Sequence, residues 1–367
     1  MSSFPDRRRL KTTPRARALA APLFDLALSA MWRILHPDER TPFVESPRPP
    51  AVRRLYYTAS DGWSAPLRVL EPRPGGAGEP VILAHSLGLS AESYRYGQHT
   101  LAQTLQRAGF RVYVFAHRGD RDSIAPDGPT NFDVDDIVAR DVEAALQAVR
   151  EDSGYRRAFW LGHGLGGQLG VILAATGGDT DVAGLVCLNT AVRFVTPTSE
   201  VRRLLQASRW LPRGWVLPGR VAALAAPLVA DGPVLERFSG QGTDGACVRG
   251  VLRHAAGNVP VSLLQQVSRW VDAGVLSDRT GHVDYLHALG RTCAPLLVVH
   301  SAGDDLCRPA QARPLLAAWG ASDTQELALP EAYGHDDVLF GRTAEADVHA
   351  PIADWLHARR KHAWRDA

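Results

Sequence analysis

Long apolar runs are missing: no stretch reaches the roughly 18 uninterrupted apolar residues that a membrane-spanning helix needs, so no helical anchor is expected. Cysteine is scarce. Cys187, Cys247, Cys293 and Cys307 are widely spaced and form no CxxC pair. That excludes a disulfide framework or a zinc site of the common kinds, and it fits the reduced thiols of a cytoplasmic protein. No HExxH-like spacing or acid-rich ligand loop occurs either, so neither a metal nor another cofactor is expected. An excess of one charge is absent: 41 Lys and Arg against 39 Asp and Glu leave a net charge of +2. Without a global field, nucleic acid is not expected as a partner. Internal repeats and low-complexity tracts are also wanting.

What remains is an ordinary globular balance over 367 residues, 45% hydrophobic and 22% charged. It is enough chain for a large core, one domain carrying an inserted subdomain. The basic excess is local. Arg7, Arg8, Arg9, Lys11, Arg15 and Arg17 face a single Asp6, and residues 18–35 that follow are mostly apolar but broken by Pro22, Asp25 and Arg33. Residues 1–52 therefore read as a basic segment with one amphipathic helix packed on the domain, then a proline-rich linker over 41–51. The alternative is export, or peripheral membrane contact through this segment.

From residue 53 onward, short β-branched apolar runs alternate with helical periodicity. Strands are expected at 55–59, 67–70, 81–84, 111–115, 158–161, 183–188, 296–300 and 326–329. Helices are expected at 102–107, 134–149, 165–175, 310–319 and 344–358. Continuous apolar strands with intervening helices imply an α/β fold, a doubly wound, mostly parallel sheet covered on both faces. The rhythm breaks once, between Leu188 and Leu296, too long a gap for a plain crossover. Helix-like patterns at 201–210, 220–228 and 261–271 make this an inserted helical cap, residues 192–292, between core parts 53–191 and 293–367.

Four landmarks lie in order on this scaffold. Gly162-His163-Gly164-Leu165-Gly166-Gly167 joins a strand to a helix. His85-Ser86-Leu87-Gly88 follows the third strand. Gly303-Asp304-Asp305-Leu306-Cys307-Arg308-Pro309 follows a late strand, and Gly334-His335-Asp336-Asp337-Val338-Leu339-Phe340-Gly341 follows the last. The set resembles the α/β-hydrolases, and the final stretch, with Asp284-Tyr285, Val348 and Trp355, is similar to the acid lipases. The resemblance implies a nucleophile elbow at 162–167 in which Gly164 replaces the nucleophile. It also implies an oxyanion hole from the N–H groups of Leu87 and Leu165, and a histidine–acid pair of His335 with Asp305, aligned on Pro309.

Glycine carries neither oxygen nor sulfur, so acyl-enzyme chemistry is impossible at position 164. Ser86, on the neighbouring strand end, is the possible surrogate nucleophile, although a polar loop residue bonded to backbone is the plainer reading. The expected function is acid/base chemistry by His335 and Asp305 on a hydrophobic carbonyl, ester or lactone compound, without a covalent intermediate. Hydrolysis by activated water, C–C cleavage, isomerisation and cyclisation all fit. The alternative is a catalytically inactive pseudo-hydrolase that binds a hydrophobic ligand or a protein partner. Trp210, Trp215 and Trp270 are the expected substrate-binding aromatics of the cap.

Overall fold

The computed structural model describes residues 52–97, 99–127, 131–195, 199–219, 221, 243 and 245–362. The expected N-terminal helix and linker, and most of the expected helix at 220–228, lie outside the described residues.

Eight strands form one sheet: β1 Arg53–Thr58, β2 Ser64–Leu70, β3 Pro80–Ala84, β4 Arg111–Phe115, β5 Ala158–His163, β6 Val182–Leu188, β9 Leu296–Ser301 and β10 Thr324–Leu329. Their order is β1-β2-β4-β3-β5-β6-β9-β10. β1 pairs antiparallel with β2, and β2 with β4. Every other pairing is parallel. β3, β5, β6 and β9 are buried along their whole length, because helices cover both faces and both sets of alternating side chains meet apolar surface. The edge strand β10 is exposed for most of its length and buries only Leu329 fully. The fold is therefore the expected mostly parallel α/β sheet.

Helix boundaries follow local chemistry. The helix Leu101–Arg107 starts at a capping box in which Thr100 and Gln103 satisfy each other's backbone N–H groups. The expected continuous helix at 310–319 is two short ones, Pro309–Ala312 and Pro314–Ala318, because Pro314 has no N–H to carry a helix through that turn. The closing helix likewise opens with a π-helical turn, Glu345–His349, before Ala350–His357.

Between β6 and β9 the chain forms helices Ser199–Ser208, Gly245–His254 and Val261–Ala273, with a two-residue ladder of β7 Val216–Leu217 and β8 Val259–Pro260. Two of the hydrogen bonds that tie this segment to the core come from backbone N–H groups there. The Ser90 N–H donates to the Ala255 carbonyl at 2.8 Å, and the Val134 N–H donates to Gln266 Oε1 at 2.8 Å. The first tie hangs the helix Gly245–His254 over the loop that leaves β3. Among the described residues no helix is long and apolar enough to cross a membrane.

Candidate active site

β5 delivers the chain into Gly164, whose φ of +51° and ψ of −113° open the helix Leu165–Ala175. Few residues with a side chain tolerate this backbone, and it costs of order 1–3 kcal/mol where they do. Gly162 serves a different need, since a Cβ there would run into the backbone of Gly166 and Gly167 where strand and helix cross. The strand, tight turn and helix around Gly164 are thus in place, with no side chain at the tip of the turn.

His335 stands beside this elbow. Its Nδ1 donates to Asp304 Oδ2 at 2.8 Å, and both side chains are nearly excluded from solvent. Asp304, and not the expected Asp305, is the histidine's partner. Asp305 is 38% exposed and pairs with Arg308 at 3.0 Å. The reason is local. Asp304 Oδ1 accepts the N–H groups of Leu306 and Cys307 at 2.8 and 2.9 Å, an Asx-type turn that aims its second oxygen inward. Alignment on Pro309 sets the acid one residue too late. A turn-forming aspartate followed by two N–H groups needing an acceptor was the signal available in the sequence.

Two more side chains, neither among the expected site residues, hold the histidine loop. His163 Nε2 and Asn189 Nδ2 both donate to the His335 carbonyl, at 3.0 and 2.9 Å. The His163 and His335 rings lie 4.6 Å apart. Burial, reinforced by the charge of His335, pushes His163 down to about 3, so it is a neutral donor. Burial would also lower His335. The charge of Asp304, its hydrogen bond and the charge of Asp336 outweigh that and raise His335 to about 9. Asp304 is held below the ordinary carboxylate range: burial opposes this, but His335 and the two loop N–H groups prevail. Asp336 is driven up to about 6 by burial first, against the attraction of His335 and with the help of Asp304 and Asp337.

Ser86 completes the arrangement. It leaves the end of β3, and its carbonyl is pinned by the Leu89 N–H at 3.1 Å in a turn through Gly88. A Cβ placed on Gly164 would stand 3.4 Å from His335 Nε2 and 3.0 Å from Ser86 Cβ, and would overlap Ser86 Oγ outright. The serine hydroxyl therefore fills the space that a side chain on residue 164 would take.

A cavity of about 460 Å³ opens from this point, walled by Leu87, Leu89, Leu204, Val251, Leu252 and Phe340, with Ser86, His335 and Asp336 at its polar end. The fold thus brings Ser86, Leu87, Gly164, Leu165 and His335 together. It does not bring the tryptophans there. Trp270 is fully buried, stacked 6.0 Å from Phe194, with its Nε1 donating to the Ser277 carbonyl. Trp210 and Trp215 are 47% and 56% exposed, away from the cavity. Aliphatic side chains and Phe340 line it instead, because the helix Gly245–His254 and not the tryptophan-bearing segments lies over the loop that leaves β3. His163, His335 and Asp336 could each offer one ligand atom, with these atoms within 4.8 Å of one another. Ligands on a small tetrahedral ion stand only about 3.4 Å apart. Recruiting His163 Nε2 would also break its bond to the His335 carbonyl.

The family model of the alpha/beta hydrolase fold matches residues 79–341. Among solved structures the chain is similar to a monoacylglycerol lipase from Paleococcus ferrophilus, at 20% identity and TM-score 0.57 over 80% of this chain and 99% of that one. It is similar to an enol-lactonase from Burkholderia xenovorans, at 21% identity and TM-score 0.56 over 83% and 100%. An esterase from Exiguobacterium antarcticum gives 16% identity and TM-score 0.57 over 84% and 100%. No curated protein matches the chain. Strand order, elbow, histidine loop and the match over 79–341 agree, and the chain belongs to the α/β-hydrolase fold family.

Proposed function

We propose that this protein is a hydrolase of hydrophobic esters or lactones, with His335 as general base and Asp304 as the residue that positions it. The observation that carries the reading is the His335 side chain itself, fixed at Nδ1 by a buried carboxylate while Nε2 faces the space above Gly164. A base so held can take a proton from a hydroxyl or water beside it and return it to a leaving group. The apolar cavity suits an acyl chain or lactone ring. In this reading the N–H groups of Leu87 and Leu165 supply the oxyanion hole. Leu165 opens the helix Leu165–Ala175 as its first residue, so its N–H has no carbonyl one turn earlier to bond and is suited to an oxyanion. The lipase, the esterase and the lactonase among the similar structures act on compounds of this class, which supports the choice over C–C cleavage, isomerisation or cyclisation. Residues 192–292 serve in this reading as the cap over the acyl site. The free thiols support a cytoplasmic setting, and the basic N-terminal segment a peripheral membrane contact.

The test is turnover of a panel of p-nitrophenyl esters and lactones by the wild type and His335→Ala. Conversion that falls roughly 10²–10⁴-fold in a stable variant is the expected result. Compounds that raise the melting temperature of both proteins and are recovered unchanged would instead make it a ligand-binding pseudo-hydrolase.

A further inference from the structure

We propose that Ser86 is the nucleophile of this hydrolase, transposed from the end of β5 to the end of β3. The inference deepens the hydrolase reading and rests on it. β3 and β5 are adjacent and parallel, with Ala84 opposite Gly162. Ser86 and Gly164 each lie two residues beyond that pair, past the ends of their strands. From there the Ser86 side chain leans toward the elbow, since its Oγ comes closer than its Cβ to the point where residue 164 would carry a Cβ. His335 Nε2 is 3.4 Å from that same point. Hydroxyl and imidazole thus share one small space at the mouth of the apolar cavity, whose wall includes both. Glycine at 164 and serine at 86 are complementary, because any side chain at 164 would collide with the hydroxyl.

The oxyanion donors keep their places and exchange parts. In the usual arrangement one N–H follows the nucleophile and the other comes from the loop after β3. With Ser86 attacking, the N–H that follows the nucleophile is that of Leu87, and the distant one is that of Leu165. Ser86 Oγ gives its proton to His335 Nε2 and forms a bond to the acyl carbon. The tetrahedral oxyanion collapses, breaking the acyl–oxygen bond, and the leaving alkoxide takes the proton from Nε2. Water then attacks the acyl-serine, delivering a proton to Nε2. The acyl–Oγ bond breaks, and Oγ recovers that proton as the acid departs.

The experiment treats the full chain with a fluorophosphonate probe, followed by intact mass and peptide mapping, beside p-nitrophenyl ester turnover. One phosphonyl group per chain is expected, on the peptide carrying Ser86. Ser86→Ala should lose the label and on the order of 10³-fold of turnover with an unchanged melting temperature. Should the alanine variant fold poorly, Ser86→Cys supplies the second reading. Its thiol should be alkylated by iodoacetamide faster when His335 is present than in the double variant with His335→Ala. Equal alkylation would count against the proposal. Turnover that His335→Ala abolishes and Ser86→Ala spares would overturn Ser86 and leave the hydrolase reading standing, with water as the attacking group. Labelling at Ser86 without turnover of any ester would uphold the nucleophile and sink the substrate class. Labelling elsewhere, or none with no turnover, would overturn the proposal.

Discussion

The Ser86 hydroxyl and residue 164 compete for one site: the volume that a Cβ on Gly164 would need is filled by Ser86 Oγ. The glycine and the serine therefore constrain each other across two adjacent strands. A side chain added at 164 disturbs Ser86, which leads to the first expectation.

Gly164→Ser by itself should lower both activity and stability, although it restores the family's usual residue. Its backbone strain costs roughly 1–3 kcal/mol, and its Cβ displaces the Ser86 hydroxyl. The exchanged pair, Ser86→Gly with Gly164→Ser, removes the collision and returns the nucleophile to the elbow. The pair should recover esterase activity over Gly164→Ser alone. Denaturant unfolding and p-nitrophenyl acetate assays on the wild type and the two variants check this, and a pair no better than the single variant would contradict it.

Asp304 and Asp305 should separate cleanly. Asp304→Asn keeps the shape but loses the charge that stabilises imidazolium, and should lower kcat by about 10⁴-fold, as in triads that lose this carboxylate. Asp305→Asn touches only an exposed pair with Arg308, worth about 0–1 kcal/mol, and should leave kcat within about twofold. A reversed order would restore the one-residue-later alignment.

Activity should rise with pH. His335 must be neutral to accept a proton, and Asp304 and Asp336 together hold it charged up to about 9. The rate should therefore climb about tenfold per unit from pH 7 and level near 9. Asp336, titrating near 6, adds its negative charge beside the histidine below that range. Stability runs the other way. The folded pKa of His335 lies above its unfolded value of 6.5, so its contribution is full below 6.5 and lost as pH rises through about 9. A profile flat from 7 to 9 would place the limiting step elsewhere.

The cavity wall should set acyl length. Val251 and Leu252, on the helix over β3, face the cavity, and Leu252→Trp should shorten it. KM for a dodecanoyl ester should then rise tenfold or more while the acetyl ester is spared, as kinetics on a chain-length series would show. Equal losses on both would place the long chain elsewhere.

The tryptophans divide by burial. Trp270→Ala should destabilise the fold by about 3–5 kcal/mol, since it empties a fully buried site. Trp215→Ala, more than half exposed, should change the melting temperature and KM little. A KM effect at Trp215 without a stability effect would return it to the binding site.

What the sequence alone determined is set by short-range rules. The apolar runs at 81–84, 158–161, 183–188 and 296–300 became β3, β5, β6 and β9, because a strand buried on both faces must be apolar at every position. The glycines of 162–167 marked a tight strand-to-helix turn, and His335 was placed by its loop after the last strand. The tertiary structure decided what depended on direction and on neighbours distant in sequence. Asp304 rather than Asp305 turns inward because two N–H groups of its own loop claim one of its oxygens. Asn189 and His163 reach His335 across separations of 146 and 172 residues, which no local pattern encodes. Trp270 is core and Trp215 is surface although both lie between β6 and β9, because burial is settled by what packs above them. Ser86 stands over Gly164 only because parallel pairing sets Ala84 opposite Gly162. Periodicity can specify a strand, but the register between two strands exists only once the sheet has formed.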